Sequence, residues 1–172
     1  KLSNYFFGFI QTGIMVVLGF NAGLIGEPWE NVFYFVTQFW GIYEWKKNII
    51  KEESVVKTRK LTIKQWLMLI IGIIVVTMVF GSNFDYFKGT QPYLDALTLV
   101  LAIFAQMLMV YRFREQWLLW GILNIASIYQ WFTLGDMSLV ALYVALLINT
   151  VYGYVTWSKL VAKLEDETVV MD

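Results

Sequence analysis

Polar positions in this chain are sparse, and they separate six apolar stretches of similar length. Each is close to the roughly 20 residues that an α-helix needs to cross hydrocarbon at 1.5 Å per residue. They run from Asn4 to Gly23 (A), Trp29 to Lys47 (B), Ile63 to Gly81 (C), Pro92 to Tyr111 (D), Glu115 to Thr133 (E) and Met137 to Trp157 (F). Stretch C is the cleanest, with no strongly polar side chain from Leu67 to Gly81. A membrane β-barrel would show alternation over roughly ten residues per strand, and none is present. The pattern predicts an all-α membrane bundle.

The breaks carry the charge, and unevenly. If the helices alternate in direction, one face receives Lys1, the group after B (Lys46, Lys47, Lys51, Lys57, Arg59, Lys60, Lys64), Arg112 and Arg114 between D and E, and Lys159 and Lys163 after F. The other face holds Glu27, Glu30, Asp85 and Asp136 with a single basic residue, Lys88. Twelve of the thirteen Lys and Arg therefore share a face, which the positive-inside rule assigns to the cytoplasm of a cell membrane. The C-terminus is expected inside.

Composition agrees and narrows the chemistry. The chain is 59% hydrophobic, against the 45–50% usual for soluble domains, with a mean hydropathy of +0.60. Zero net charge excludes the basic excess of a nucleic-acid binder. With neither Cys nor His, thiolate chemistry, disulfides, His or Cys metal sites and a Ser–His or Cys–His nucleophile are all excluded. No catalytic residue, metal or cofactor is expected.

An internal repeat organises the helices. B ends "GIYEW" (Gly41 to Trp45) and F ends "GYVTW" (Gly153 to Trp157), preceded in register by Thr37–Gln38 and Asn149–Thr150. A and E correspond loosely, with Gln11 near Asn124 after a one-residue shift. D then belongs to the second unit and C is a connector. The expected bundle is 3+1+3, with the counterpart of D preceding A and absent from this chain. Residues 1–50 hold helices two and three of the first repeat. Residues 51–91 hold a basic cytoplasmic loop and the connector, 92–160 the second repeat, and 161–172 a cytoplasmic tail. Parallel repeats of this kind place a solute site near mid-membrane between the halves.

Candidate site residues lie at that depth. In E, Trp117, Trp120, Asn124, Ser127 and Trp131 step by three and four and share one helix face. Trp117 to Trp131 spans about 21 Å, so Trp131 reads as part of an interfacial aromatic belt, and Trp117 reads equally as belt or site. Asn124 lies deep, where an amide needs a partner. Helix–helix bonding would satisfy it, but Gln38, Asn149, Tyr152 and Gln11 converge at comparable depth. Gln106 reads as a helix–helix contact. Amides both donate and accept, and indole faces attract flat cations. No Lys or Arg lies within a membrane core, and only Asp95 and Glu44 approach it, both near helix ends. The wall thus suits a planar neutral or cationic solute, without the chain of intramembrane acids that ion coupling uses.

These residues resemble a known family. "REQWLLWGILN" carries W-x-x-W at Trp117 and Trp120 followed by Asn124. With "PYLDALTLVLAIFAQMLMVYRFREQW", "KLSNYFFG" and "QFWGIYEW", it looks like the pattern of the PnuC family of nicotinamide riboside transporters. The resemblance covers nearly the whole chain. It implies a seven-helix, SWEET-like 3+1+3 fold and facilitated diffusion, with cytoplasmic phosphorylation trapping the solute. It implies that Trp120 and Trp117 stack on the pyridinium ring. Asn124, Gln38 and Asn149 would bond the amide and ribose, with Tyr152 beside them and Gln11 contributing. Thiamine or riboflavin carriers share the fold. A membrane scaffold whose amides only hold helices together is the alternative of another class. The expected partners are a flat vitamin precursor and the bilayer, and a homo-oligomer is left open.

Overall fold

The computed structural model describes Ser3 to Val170 apart from residues 48, 51–54 and 57, and side-chain surroundings for residues 10–44 and 58–162. Lys1, Lys51 and Lys57 lie outside the described residues, as do the side chains of Trp45, Lys46, Lys47 and Lys163. Six helices account for nearly all of it: α1 (Ser3–Asn21), α2 (Gly26–Lys47), α3 (Ile63–Tyr86), α4 (Pro92–Val110), α5 (Gln116–Leu134) and α6 (Met137–Val170). A two-residue-per-strand antiparallel ribbon, β1 (Ile49–Ile50) with β2 (Val55–Val56), interrupts the segment between α2 and α3.

The surface is apolar and the interior polar. Ile14, Val17, Val36, Phe39, Met68, Ile71 and Ile148 face outward, while Thr12, Glu27, Glu30, Asn31, Thr37, Thr98, Gln106, Asn124, Ser127 and Gln130 are buried. Water would reverse this distribution, so the surrounding solvent is lipid. By length and composition, α3, α4 and the Met137–Ala162 part of α6 are apolar enough to cross a membrane. The sequence pattern gave six spans. Among the rest, α2 and α5 have the length but not the hydropathy, because their inner faces carry the acids, amides and indoles described below.

Helix α4 is the axis. It packs against α2, α3 and α5, while α1 packs on α2 and α6 on α5. Ala96, Ala102 and Ala105 are fully buried on it, and such small residues let membrane helices approach closely. The result is a curved wall, α1–α2–α4–α5–α6, with α3 behind α4.

Two devices fix its ends. At one, the Asp95 carboxylate on α4 accepts from the backbone N–H groups of Ile25 (2.7 Å), Gly26 (2.6 Å) and Glu27 (3.1 Å) at the start of α2. The first N–H groups of a helix have no partner within it, so one carboxylate from another helix supplies the cap. A Cβ at residue 26 would lie 2.7 Å from the Asp95 carbonyl oxygen, which requires glycine there. At the other end, Arg59 pairs its backbone with the α4–α5 turn (Arg59 N to Arg112 O, 2.9 Å; Arg114 N to Arg59 O, 2.8 Å). Glu115 accepts from Leu61 N at 3.1 Å.

The capping by Asp95 corrects the sequence reading. Helix α2 starts at Gly26, three residues before Trp29, and carries Glu27 and Glu30 into the bundle instead of leaving them in a solvated loop. Local capping rules could not show this, since the cap comes from a residue nearly seventy positions away.

Candidate functional site

The curved wall borders an open-sided cavity of about 440 Å³, within the roughly 300–1,000 Å³ typical of small-molecule sites. Five helices line it. α1 contributes Gln11 and Thr12; α2 contributes Glu30, Asn31, Tyr34 and Gln38; α4 contributes Gln106. α5 contributes Trp117, Trp120 and Asn124, and α6 contributes Tyr143, Asn149 and Thr150.

Six of the seven candidate residues therefore meet: Gln11, Gln38, Trp117, Trp120, Asn124 and Asn149. Tyr152 does not. It is 72% exposed on the outer face of α6. Buried Thr150 and exposed Tyr152 are two residues apart, about 200° round the helix, so Tyr152 falls on the side opposite Thr150. Trp131, read as an interfacial belt residue, is 2% exposed and belongs to the buried core with Leu24 and Leu139. The α5 stripe faces the bundle over its whole length.

Two threonines anchor the amides. Asn124 Nδ2 donates to Thr150 Oγ1 at 3.0 Å, and Thr150 donates in turn to Leu146 O at 2.9 Å. Gln106 Nε2 donates to Thr37 Oγ1 at 2.9 Å, and Thr37 donates to Phe33 O at 2.8 Å. Gln106 thus bonds helix to helix, as its sequence position suggested, and lines the cavity as well. The Gln38 side-chain oxygen is buried with no hydrogen-bond partner among the described residues.

The aromatic groups are held from behind. Trp117 packs over Gly153, where any Cβ would collide with the indole, and meets Trp157 edge-on at 6.1 Å. Trp120 lies tilted against Tyr34, centroids 5.7 Å apart. The Tyr34 hydroxyl donates to Glu30 Oε1 at 2.6 Å, and the Tyr143 hydroxyl donates to Glu27 Oε1 at 2.8 Å. Glu30, Asn31, Tyr34 and Tyr143 are the residues that sequence reasoning missed. The one available signal was an i, i+3, i+4 continuation of Gln38 back along α2 through Tyr34 and Asn31 to Glu27.

An inside-out helical bundle around an amide- and indole-lined chamber defines a membrane protein with a polar cavity in its interior. The chain belongs to the nicotinamide mononucleotide transporter family, whose family model matches residues 1–159. It is 37% identical to the nicotinamide riboside transporter PnuC of Neisseria mucosa, over 95% of this chain and 66% of that protein. It is 38% identical to the PnuC of Haemophilus influenzae, over 95% of this chain and 73% of the relative. The crystal structure of the vitamin B3 transporter PnuC superposes with a TM-score of 0.81 at 36% identity, covering 95% of this chain and 74% of that one. The chain thus spans about two thirds to three quarters of the length of these relatives. The family is one of transporters, not enzymes.

Proposed function

We propose that this protein carries nicotinamide riboside across the cell membrane by facilitated diffusion, the solute being trapped by phosphorylation in the cytoplasm. The relatives' transport of nicotinamide riboside supports the substrate. The observation that carries the reading is the cavity itself: amides from α1, α2, α4, α5 and α6 meet two indoles around an open-sided volume that fits a nucleoside. Trp120 and Trp117 stack on the pyridinium ring, while Asn124, Gln38 and Asn149 bond its carboxamide and the ribose hydroxyls, with Gln11 at the exposed margin. Among the described residues no Lys or Arg lines the wall, so a phosphorylated product finds no counter-charge there and is retained once made.

The 3+1+3 parallel arrangement is part of this proposal. Residues 1–50 supply two helices of one unit, α3 in 51–91 is the connector, and 92–160 form the second unit. Its support is the recurrence of "GIYEW" near the end of α2 as "GYVTW" in α6, preceded in register by Thr37–Gln38 and Asn149–Thr150. By the distribution of Lys and Arg, the C-terminal tail at 161–172 lies in the cytoplasm.

Uptake of labelled nicotinamide riboside into proteoliposomes tests the reading. Asn124→Ala is expected to abolish uptake in a protein that still folds; uptake at the original rate would show that this cavity is not the path.

A further inference from the structure

Among the described residues, the cavity wall contains one carboxyl side chain, Glu30. Its residue is 3% exposed, and one carboxylate oxygen, Oε1, is occupied by the Tyr34 hydroxyl at 2.6 Å. The other, Oε2, is buried with no hydrogen-bond partner among the described residues. Glu27, one turn earlier, is also buried, but it lies outside the wall and is tied to Tyr143 across the bundle. Asp95 is consumed as the cap of α2. No ion pair to any of the three is present among the described residues.

We propose that Glu30 is the counter-charge for a cationic ring, and that it makes this cavity select pyridinium nucleosides over neutral nucleosides of the same outline. The proposal rests on reading the cavity as a nicotinamide riboside site. A carboxylate taken out of water without a cation carries a large desolvation cost, which a bound cation offsets. Tyr34 connects that charge to the stacking surface. Its hydroxyl holds Glu30, and its ring lies against Trp120. A flat cation against the indole would therefore meet an aromatic face and an anion from the same side of the cavity, two attractions that a neutral ring of equal size would not gain. Glu30 also opposes any anionic substituent, which adds repulsion to the absence of Lys and Arg in the wall.

The test compares nicotinamide riboside with its 1,4-dihydro form, which keeps the carboxamide and ribose but loses the positive charge. Dissociation constants are measured calorimetrically on purified protein in detergent. The unaltered protein is expected to prefer the cation by on the order of tenfold or more, the scale of one partly desolvated charge pair. Glu30→Gln, nearly isosteric, is expected to bring the two affinities within about twofold by weakening the cation alone. Retained binding of the dihydro form shows that the variant is folded. An unchanged preference in Glu30→Gln overturns the proposal, as does equal binding of both forms by the unaltered protein, and either result leaves the site assignment standing. Binding of neither form by the unaltered protein overturns the site assignment as well. Should Glu30→Gln fail to fold, Glu30→Asp decides. It keeps the charge and must keep the preference for the cation, and loss of that preference refutes the role.

Discussion

The α1–α2 wall and the α5–α6 wall line the same cavity with different chemistry. Each holds a buried threonine that bonds its own helix four residues back and receives an amide from a neighbour, Thr37 from Gln106 and Thr150 from Asn124. Beyond that frame they part. The second wall brings Trp117, Trp120 and Asn124 and no charge, whereas the first brings Glu30, Tyr34 and Asn31. The helix starts differ as well. α6 is capped locally by Asp136, which accepts from Ser138 N and Leu139 N, but α2 is capped by Asp95 from another helix. Similar threonine anchors hold both walls, and their unlike side chains give the chamber two different sides.

The capping difference is expected to give the largest effect. Asp95→Ala leaves three backbone N–H groups without their charged acceptor, two of them in a buried setting. Charge-assisted bonds of this kind contribute about 1.5–3 kcal/mol, so denaturant unfolding in detergent should show a loss of about 3 kcal/mol or more. Asp136→Ala removes an ordinary local cap and should cost about 1 kcal/mol. Equal losses would remove the distinction between the two helix starts.

Binding separates the walls next. Trp120→Ala should weaken nicotinamide riboside by roughly thirtyfold, about 2 kcal/mol for a desolvated cation–π face, with stability little changed because the indole borders a void. The measurement is the dissociation constant. A change below about threefold would move the stacking role to another ring.

The second wall was far more legible in the sequence than the first, for physical reasons. On α5 the functional stripe runs at helical spacing through an otherwise apolar segment, so Trp117, Trp120 and Asn124 stand out. On α2 the decisive residues fall in the first turns, where Glu27 and Glu30 beside Gly26 and Pro28 look like a solvated loop. Only Asp95, approaching from α4, turns that stretch into buried helix. The apolar–polar pattern located all six helices with starts within three residues, but α3 runs five residues past Gly81 and α6 thirteen past Trp157. It could not reveal that Trp131 is enclosed, because enclosure depends on the core it shares with Leu24 of the α1–α2 connection and Leu139 of α6.

The shared frame itself can be tested by isosteric replacement. Thr37→Val and Thr150→Val each delete a hydroxyl that both donates and accepts, and each should cost about 1 kcal/mol of stability. If the two positions are equivalent, the losses match. Affinity should still fall more for Thr150→Val, since it frees Asn124, a ligand-binding amide, whereas Thr37→Val frees Gln106. Matching losses in both stability and affinity would make the two amides interchangeable and weaken the assignment of Asn124 over Gln106.

The smallest effect is expected at Tyr152, where sequence and structure disagree most directly. Its depth on α6 matches that of Asn149, and that depth together with the family resemblance made it a candidate. Orientation decides otherwise. Asn149 and Thr150 line the cavity, while Tyr152 is 72% exposed on the lipid-facing surface among Ile148, Val151 and Val155. Surface substitutions away from special features usually change stability by no more than about 0.5 kcal/mol. Tyr152→Ala should therefore leave both uptake and the dissociation constant within about twofold of the original. Asn149→Ala, three residues earlier on the same helix, should weaken binding by several times that factor, one lost hydrogen bond being about 1 kcal/mol. The pair measures how sharply α6 divides between its cavity face and its lipid face. A strong loss at Tyr152 with none at Asn149 would mean that α6 rotates during transport to present the other face.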